Sequence, residues 1–244
     1  MKKISCLVCC LALLGACSKH DPILPGVREP IFDTQSFNLL NQDISGLTNE
    51  IPSTTKTNCP YTQDSSNTIW KGETKIFSGF PTSNLVKSDQ KPVCSGKYVY
   101  AGLTTGELVK IDTSNKNVVW TADIYSNSII TGGSSILDIV APISIINKSV
   151  YVGGLGDAFC KLNTNNGKKL WCIQIGTALP FIITNKAAFV VGTDNYLYAI
   201  RTTDGSVFWR TKVKEQTAPI YADAVISVGN QKINAVTGNV LDEK

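Results

Sequence analysis

The stretch that decides the fold is VYVGGLGDAFCKLNTNNGKKLW, residues 150–171, because the same pattern occurs three times. The preceding copy is VYAGLTTGELVKIDTSNKNVVW at 99–120, and the following copy is FVVGTDNYLYAIRTTDGSVFW at 189–209. The conserved glycine precedes the closing tryptophan by 18, 18 and 17 residues, whereas the glycines of successive copies are 51 and 39 residues apart. A constant unit joined by connections of variable length indicates a repeat architecture.

Each copy predicts short strands. In the copy at 150–171 and its flanks, four apolar runs bounded by Asn, Gly and Asp give strands at 142–146, 150–152, 158–162 and 169–175. The strands carry apolar residues on both faces, so each sheet needs a covering layer on either side. We therefore expect an all-β fold, a β-propeller of four-stranded blades, with a β-sandwich as the alternative. About four repeats are detected, enough for a small closed ring or a partial propeller, and Asp242 stands where the next Trp is expected.

The N-terminus predicts export and a lipid anchor. Lys2 and Lys3 precede an apolar run that is too short to cross a bilayer, as in a secretory signal peptide. Leu14-Gly15-Ala16-Cys17 resembles the lipobox of bacterial lipoproteins, in which cleavage before the cysteine is coupled to acylation of its sulfur. We expect a signal peptide at 1–16, an acylated Cys17 with a flexible tether at 17–69, and repeats at 70–244.

The tether prediction rests on composition. Prolines and a run of Ser, Thr, Asn and Gln interrupt residues 18–69, with one strand or helix expected around Phe37–Leu40. Trp70 is interpreted as the closing strand of an element whose earlier strands are missing or degenerate.

The charge balance and the cysteine positions bear on nucleic-acid binding and on disulfide formation. The chain has 23 Lys and Arg against 19 Asp and Glu, which does not suggest binding to nucleic acid. Cys160 and Cys172 flank the 163–167 turn symmetrically, so they face each other across one hairpin, either as a disulfide or as two buried thiols. The state of Cys59 and Cys94 stays open.

The chemistry inventory argues against catalysis. The only histidine is His20, in the tether, so the repeats contain neither a Ser-His-Asp triad nor a histidine metal site. Asp112 and Asp204 lie at turns, where accepting backbone N–H bonds accounts for them. We predict no catalytic, metal or cofactor site, no cofactor and no small-molecule substrate.

The repeat, V-x-x-G followed by a strand, a turn and Trp, is similar to the pyrroloquinoline-quinone-type propeller repeat. With the lipobox, the chain resembles the BamB family, lipoproteins of the machinery that inserts β-barrel proteins into the outer membrane. The resemblance implies a non-catalytic scaffold on the periplasmic face of the outer membrane that binds the periplasmic domains of the central barrel protein. The alternatives are a propeller that binds another envelope ligand, peptide or glycan, and a quinoprotein oxidoreductase. Whether the lipoprotein is sorted to the inner or to the outer membrane also stays open.

In that family two loops on one side of the ring make the partner contact. The chain has two long connections, residues 78–91 and 125–140. The resemblance places the contact at Leu85, Val86 and Lys87 in the first and at Asp138 in the second. Because strand interiors are used in blade packing, the connections at the rims are the parts free to recognise a partner. We expect one patch if both connections lie on the same rim.

Overall fold

The structure is a computed structural model that describes residues 36–38, 44, 46–55, 58–81, 91–125, 136–156 and 158–243. The described residues lie in the unit Gln35–Lys244 and form five antiparallel sheets. The fold is the all-β propeller architecture that the repeat predicts. The strand expected near Phe37–Leu40 is present as β1 (Ser36–Asn38).

The sheets follow one another along the chain, and we call them blades 1 to 5. Blade 1 has three strands: β2 (Tyr61–Gln63), β3 (Thr68–Lys71) and β4 (Thr74–Ser78). Blade 2 has four: β5 (Val93–Ser95), β6 (Tyr98–Gly102), β7 (Glu107–Asp112) and β8 (Asn117–Asp123). Blade 3 also has four: β9 (Ser144–Ile146), β10 (Ser149–Gly154), β11 (Ala158–Asn163) and β12 (Lys169–Ile173).

Blades 4 and 5 repeat this plan. Blade 4 consists of β13 (Ile182–Ile183), β14 (Ala187–Val191), β15 (Tyr196–Arg201) and β16 (Val207–Lys212). Strand β1 pairs antiparallel with β16 and gives blade 4 a fifth strand. Blade 5 consists of β17 (Ile220–Ala222), β18 (Val225–Val228), β19 (Gln231–Asn234) and β20 (Val240–Glu243).

Adjacent blades are joined by apolar clusters. Four clusters bury side chains between blades 1 and 2, 2 and 3, 3 and 4, and 4 and 5. Among the described residues, no apolar cluster joins blade 5 to blade 1. Alternate residues of the inner strands therefore face different neighbouring blades, which is why these strands are apolar on both faces.

A tryptophan contact recurs between blades. Trp120, Trp171 and Trp209 occupy the same register position on the fourth strand, and each packs on the glycine of the next blade's last turn: Gly167, Gly205 and Gly238. Each indole N–H donates to a backbone carbonyl of that turn, at 3.0 to 3.2 Å. The tryptophans therefore align each blade with its neighbour.

Two sequence predictions need correction at blade 1. Trp70 lies in β3, the middle strand of a three-stranded sheet, so it does not close a blade. Phe77, opposite Ile69 on β4, occupies the register position that tryptophan has in blades 2 to 4. The repeat pattern depends on that tryptophan and predicts a single repeat from Trp70 to Trp120, whereas this segment spans parts of two sheets.

The N-terminal part of the repeats also begins earlier than predicted. Blade 1 starts at Tyr61, and the preceding segment packs on the blades although its composition predicts a tether. Ile44 is fully buried in the cluster between blades 4 and 5. The Ile51 and Thr54 amides donate to the carbonyls of Ile183 and Ile145, on the first strands of blades 4 and 3. Isolated apolar residues within a polar segment supply this packing, and they carry no periodic signal.

Two disulfides connect strands. Cys160 and Cys172, paired across β11 and β12, form one of them, with a Cα–Cα distance of 4.1 Å. Cys59 and Cys94 form the other and tie the start of blade 1 to β5 of blade 2.

Candidate functional site

The antiparallel order of each blade separates its connections onto two rims. Turns between the second and third strands, together with the links from one blade to the next, lie on what we call the connection rim. Backbone hydrogen bonds show this grouping: the Ile124 amide donates to Gly106 O and the Val213 amide to Asn195 O. Both long connections of the chain, after β4 and after β8, start and end on this rim.

Asn67 fixes the start of the first long connection. Its side-chain amide donates to the Phe80 carbonyl at 2.7 Å and to Thr104 Oγ1 at 2.8 Å, and its Oδ1 accepts from the Thr104 amide. Its own carbonyl accepts from the Gly79 amide. Asn67 is fully buried and has φ 62°, a left-handed conformation that asparagine tolerates. It therefore holds the connection against the 103–106 turn of blade 2.

Tyr125 fixes the start of the second long connection. Its ring packs on Gly106, where an added Cβ would lie 2.5 Å from Cδ2, and its hydroxyl accepts from the Gly156 amide. The returning chain is held on the same turn, since the Ile139 amide donates to Leu103 O. Both long connections are therefore rooted on residues 103–106 of blade 2.

The roots of the connections expose apolar side chains. Phe80 is 78% exposed and Ile136 is 43% exposed, and Leu137 lies next to Gly106. We call the surface formed by Phe80, Thr104, Ile136 and Leu137 around the 103–106 turn the root surface. Exposed apolar groups beside polar turns are typical of protein-binding surfaces.

The structure places the predicted contact residues as follows. Leu85, Val86 and Lys87 lie outside the described residues, as does the predicted lipidation site Cys17. Asp138 is described and is buried, with 2% of its surface exposed, and its carbonyl accepts from the Leu155 amide.

The sequence reasoning missed Asn67, Phe80 and Tyr125. An aspartate and two serines before Asn67 predict a turn, but they do not indicate that its side chain reaches two other segments. Contacts between Asn67 and Thr104 depend on how blades 1 and 2 stack, which no local pattern encodes.

The connection rim also carries fixed negative charge. The Asp64 carboxylate accepts hydrogen bonds from Ser66, Thr68 and the Trp70 indole. Desolvation would raise the pKa of Asp64, but these hydrogen bonds together lower it to about 2. Asp64 is therefore ionised at any physiological pH.

No metal-binding group is found in the described part of the chain, where no three His, Cys, Asp or Glu residues cluster suitably. All four cysteines there form disulfides, between residues separated by 35 and by 12 positions. Within the described residues there is no helix with the length and hydropathy needed to span a membrane.

Comparison with known proteins identifies relatives of this architecture. The family model described as outer membrane protein assembly factor BamB matches residues 52–240. BamB from Moraxella catarrhalis is similar at 15% identity and a TM-score of 0.49, over 80% of this chain and 66% of that one. A quinohemoprotein alcohol dehydrogenase from Pseudomonas putida HK5 is similar at 13% identity and a TM-score of 0.57, over 86% of this chain and 43% of that one.

The computationally designed protein Ika8 is similar at 13% identity and a TM-score of 0.49, over 76% of this chain and 56% of that one. No curated protein matches the chain significantly. The chain thus spans less than two thirds of the length of each of these structures, and at such identities the likeness concerns the fold alone.

Proposed function

The chain belongs to the family of outer membrane protein assembly factor BamB, and from this membership we propose that it is a non-catalytic accessory lipoprotein of outer-membrane β-barrel assembly. In this proposal it binds the periplasmic domains of the central barrel protein. The family membership supports a role in outer-membrane assembly, and the root surface supports binding of a partner through the two long connections.

The single observation that carries the proposal is the shared root of the two long connections. Asn67 holds one of them and Tyr125 the other on the same turn of blade 2, so both present residues to one partner. The exposed ring of Phe80 supplies an apolar anchor of the kind that dominates protein interfaces.

The proposed location is the periplasmic face of the outer membrane, with acylated Cys17 as the anchor and the residues after it as the link to the blades. Each buried methylene contributes about 0.8 kcal/mol, so several acyl chains retain a protein on a bilayer where one does not. We expect Cys17→Ala to appear as soluble or unprocessed protein in fractionated cells. Membrane retention of a processed Cys17→Ala form would contradict the anchor.

The binding surface is tested by charge insertion at Phe80. The Phe80→Glu variant should lose partner binding in pull-downs from detergent-solubilised membranes, since removing such an anchor typically costs about 2 kcal/mol, roughly 30-fold in affinity. Ile220→Glu is the matched control, because Ile220 is 68% exposed on blade 5 and is not part of the root surface. Equal yields from both variants would exclude the root surface as the contact.

A second pair of substitutions tests the prediction in the first long connection. Val86→Ala combined with Lys87→Glu should abolish partner binding while the thermal unfolding temperature stays near that of the wild type. Normal recovery of the barrel protein with this double variant would remove that segment from the interface, even if Phe80→Glu is inactive.

A further inference from the structure

The rim opposite the connection rim carries a row of lysines. It is formed by the turns between first and second strands and between third and fourth strands. These turns adjoin in each blade, because the amides of Thr113, Thr164 and Thr202 donate to the carbonyls of Lys97, Lys148 and Lys186. We call this edge of blades 2 to 4 the lysine rim, defined by its exposed residues Lys97, Lys116, Lys148, Lys168 and Lys186.

The lysines recur at equivalent places in consecutive blades. Lys97, Lys148 and Lys186 each follow Gly or Asn in the first turn of blades 2, 3 and 4. Lys116 and Lys168 lie in the last turns of blades 2 and 3. Since the tryptophan contacts align adjacent blades, these turns form a continuous cationic edge.

Acidic groups on this edge of blades 2 to 4 are already paired. Asp112 forms an ion pair with Lys97 at 2.7 Å, and Asp204 pairs with Arg201. Among the described residues, no carboxylate forms an ion pair with Lys116, Lys148 or Lys168. Beyond the lysine rim, blade 1 adds Lys71 and Glu73, blade 5 adds Asp223, and the segment that crosses blade 4 adds Glu50.

The opposite rim has mixed charge. In blades 2 to 4, its exposed or partly exposed carboxylates lie beside Lys91, Lys212 and Lys214: Glu107, Asp123, Asp194 and Glu215. Within blades 2 to 4, basic residues outnumber acidic residues on the lysine rim, whereas the two signs are nearly equal on the connection rim.

Two of these lysines occupy backbone conformations that favour glycine. Lys116 has φ 59° at the turn position where blades 3, 4 and 5 have Gly167, Gly205 and Gly238. Lys148 has φ 62° in the first turn of blade 3. These values belong to tight turns between antiparallel strands, since Ala224 has φ 60° in the corresponding turn of blade 5.

We propose that the lysine rim binds an anionic phospholipid surface. The composition favours lipid over protein, because protein interfaces are depleted in lysine and enriched in arginine and aromatic residues. Lysine ammonium groups are point charges without a fixed hydrogen-bonding geometry, which suits a diffuse layer of headgroup phosphates. The contact orients the connection rim, with its root surface, away from the bilayer and toward a partner.

Vesicle co-sedimentation of the full chain tests this proposal. The readout is the ratio of its partition coefficients on phosphatidylcholine–phosphatidylglycerol vesicles and on phosphatidylcholine vesicles. Apolar N-terminal residues contribute equally to both terms, so the ratio isolates charge. The wild-type ratio should exceed one and fall toward one between about 0.1 M and about 0.5 M salt, as the screening length shortens.

Matched variants locate the effect. Combining Lys116→Gln, Lys148→Gln and Lys168→Gln should lower the ratio about fivefold per lysine, on the order of 100-fold in all or until it reaches one. The same three positions changed to arginine should retain it.

The control makes the same change in charge on the other rim, with Lys91→Gln, Lys212→Gln and Lys214→Gln, and should leave the ratio within twofold of the wild type. An equal loss in the control, or a wild-type ratio of one, would overturn the proposal. Pull-down of the barrel protein by the Lys116, Lys148 and Lys168 variant tests the proposed function separately. Loss of vesicle binding with normal recovery of the barrel protein concerns the lysine rim alone.

Discussion

Replacing Gly238 by alanine tests whether the tryptophan contact holds neighbouring blades together. Gly238 has φ +77°, and an added Cβ would lie 2.6 to 2.9 Å from three ring atoms of Trp209. Trp209 is fully buried and its N–H donates to Ala235 O, so the ring cannot move aside without losing that bond. The left-handed backbone costs alanine about 1 kcal/mol, and the forced overlap adds about 2 kcal/mol.

A matched glycine separates the two contributions. Gly96 also has positive φ, at +59°, but an added Cβ meets no described residue within 4 Å. Gly96→Ala therefore carries the backbone cost alone. For a protein of this size, we expect the unfolding temperature to fall by roughly 6–12 °C for Gly238→Ala and by roughly 2–4 °C for Gly96→Ala. The measurement is thermal unfolding followed by circular dichroism, and equal decreases in the two variants would refute the role of the indole–glycine contact.

Two further predictions concern the disulfides and the acid limb of stability. Replacing both cysteines of the Cys59–Cys94 pair by serine should lower the free energy of unfolding by about 4 kcal/mol, and replacing those of Cys160–Cys172 should lower it by about 3 kcal/mol. The difference arises because the disulfides close loops of different length, with separations of 35 and 12 residues. Urea unfolding measures both values, and the reverse order would contradict the prediction. The pKa of Asp64 is lowered from 3.8 to about 2 in the folded state, so its stabilising contribution is complete above pH 3.8 and is lost as the pH falls toward 2. Asp64→Asn should therefore flatten the decline of stability across that interval, and an unchanged slope would show that the carboxylate hydrogen bonds contribute nothing.

The sequence predicts the structural features that recur from blade to blade, but not those that occur in a single blade. The tryptophan spacing predicts blades 2 to 4, and the same register identifies Asp242, opposite Lys232, as its replacement in blade 5. Blade 1 is not predicted in this way, because its tryptophan lies on β3 and Phe77 occupies the register position that tryptophan has in blades 2 to 4.

The candidate site is less predictable than the fold for a physical reason. A strand needs only a short apolar run, which is a local property, whereas the root surface depends on Asn67 reaching both Phe80 and Thr104. Ile44 illustrates the same limit, since one buried isoleucine in a polar segment adds cohesion between blades 4 and 5 without producing a periodic pattern.

The tryptophan contact makes the array of blades directional, with two chemically different ends. The indoles of Trp120, Trp171 and Trp209 each point from their own blade to the turn of the next. At one end, the turn of blade 1 contains Gly72, which has positive φ and no described residue within 4 Å of an added Cβ. At the other end, Asp242 stands at the register position of the tryptophan. Adding or removing a whole blade at either end therefore leaves the indole–glycine contacts between the remaining blades unchanged, so blade number can vary during evolution while the geometry of each junction is inherited.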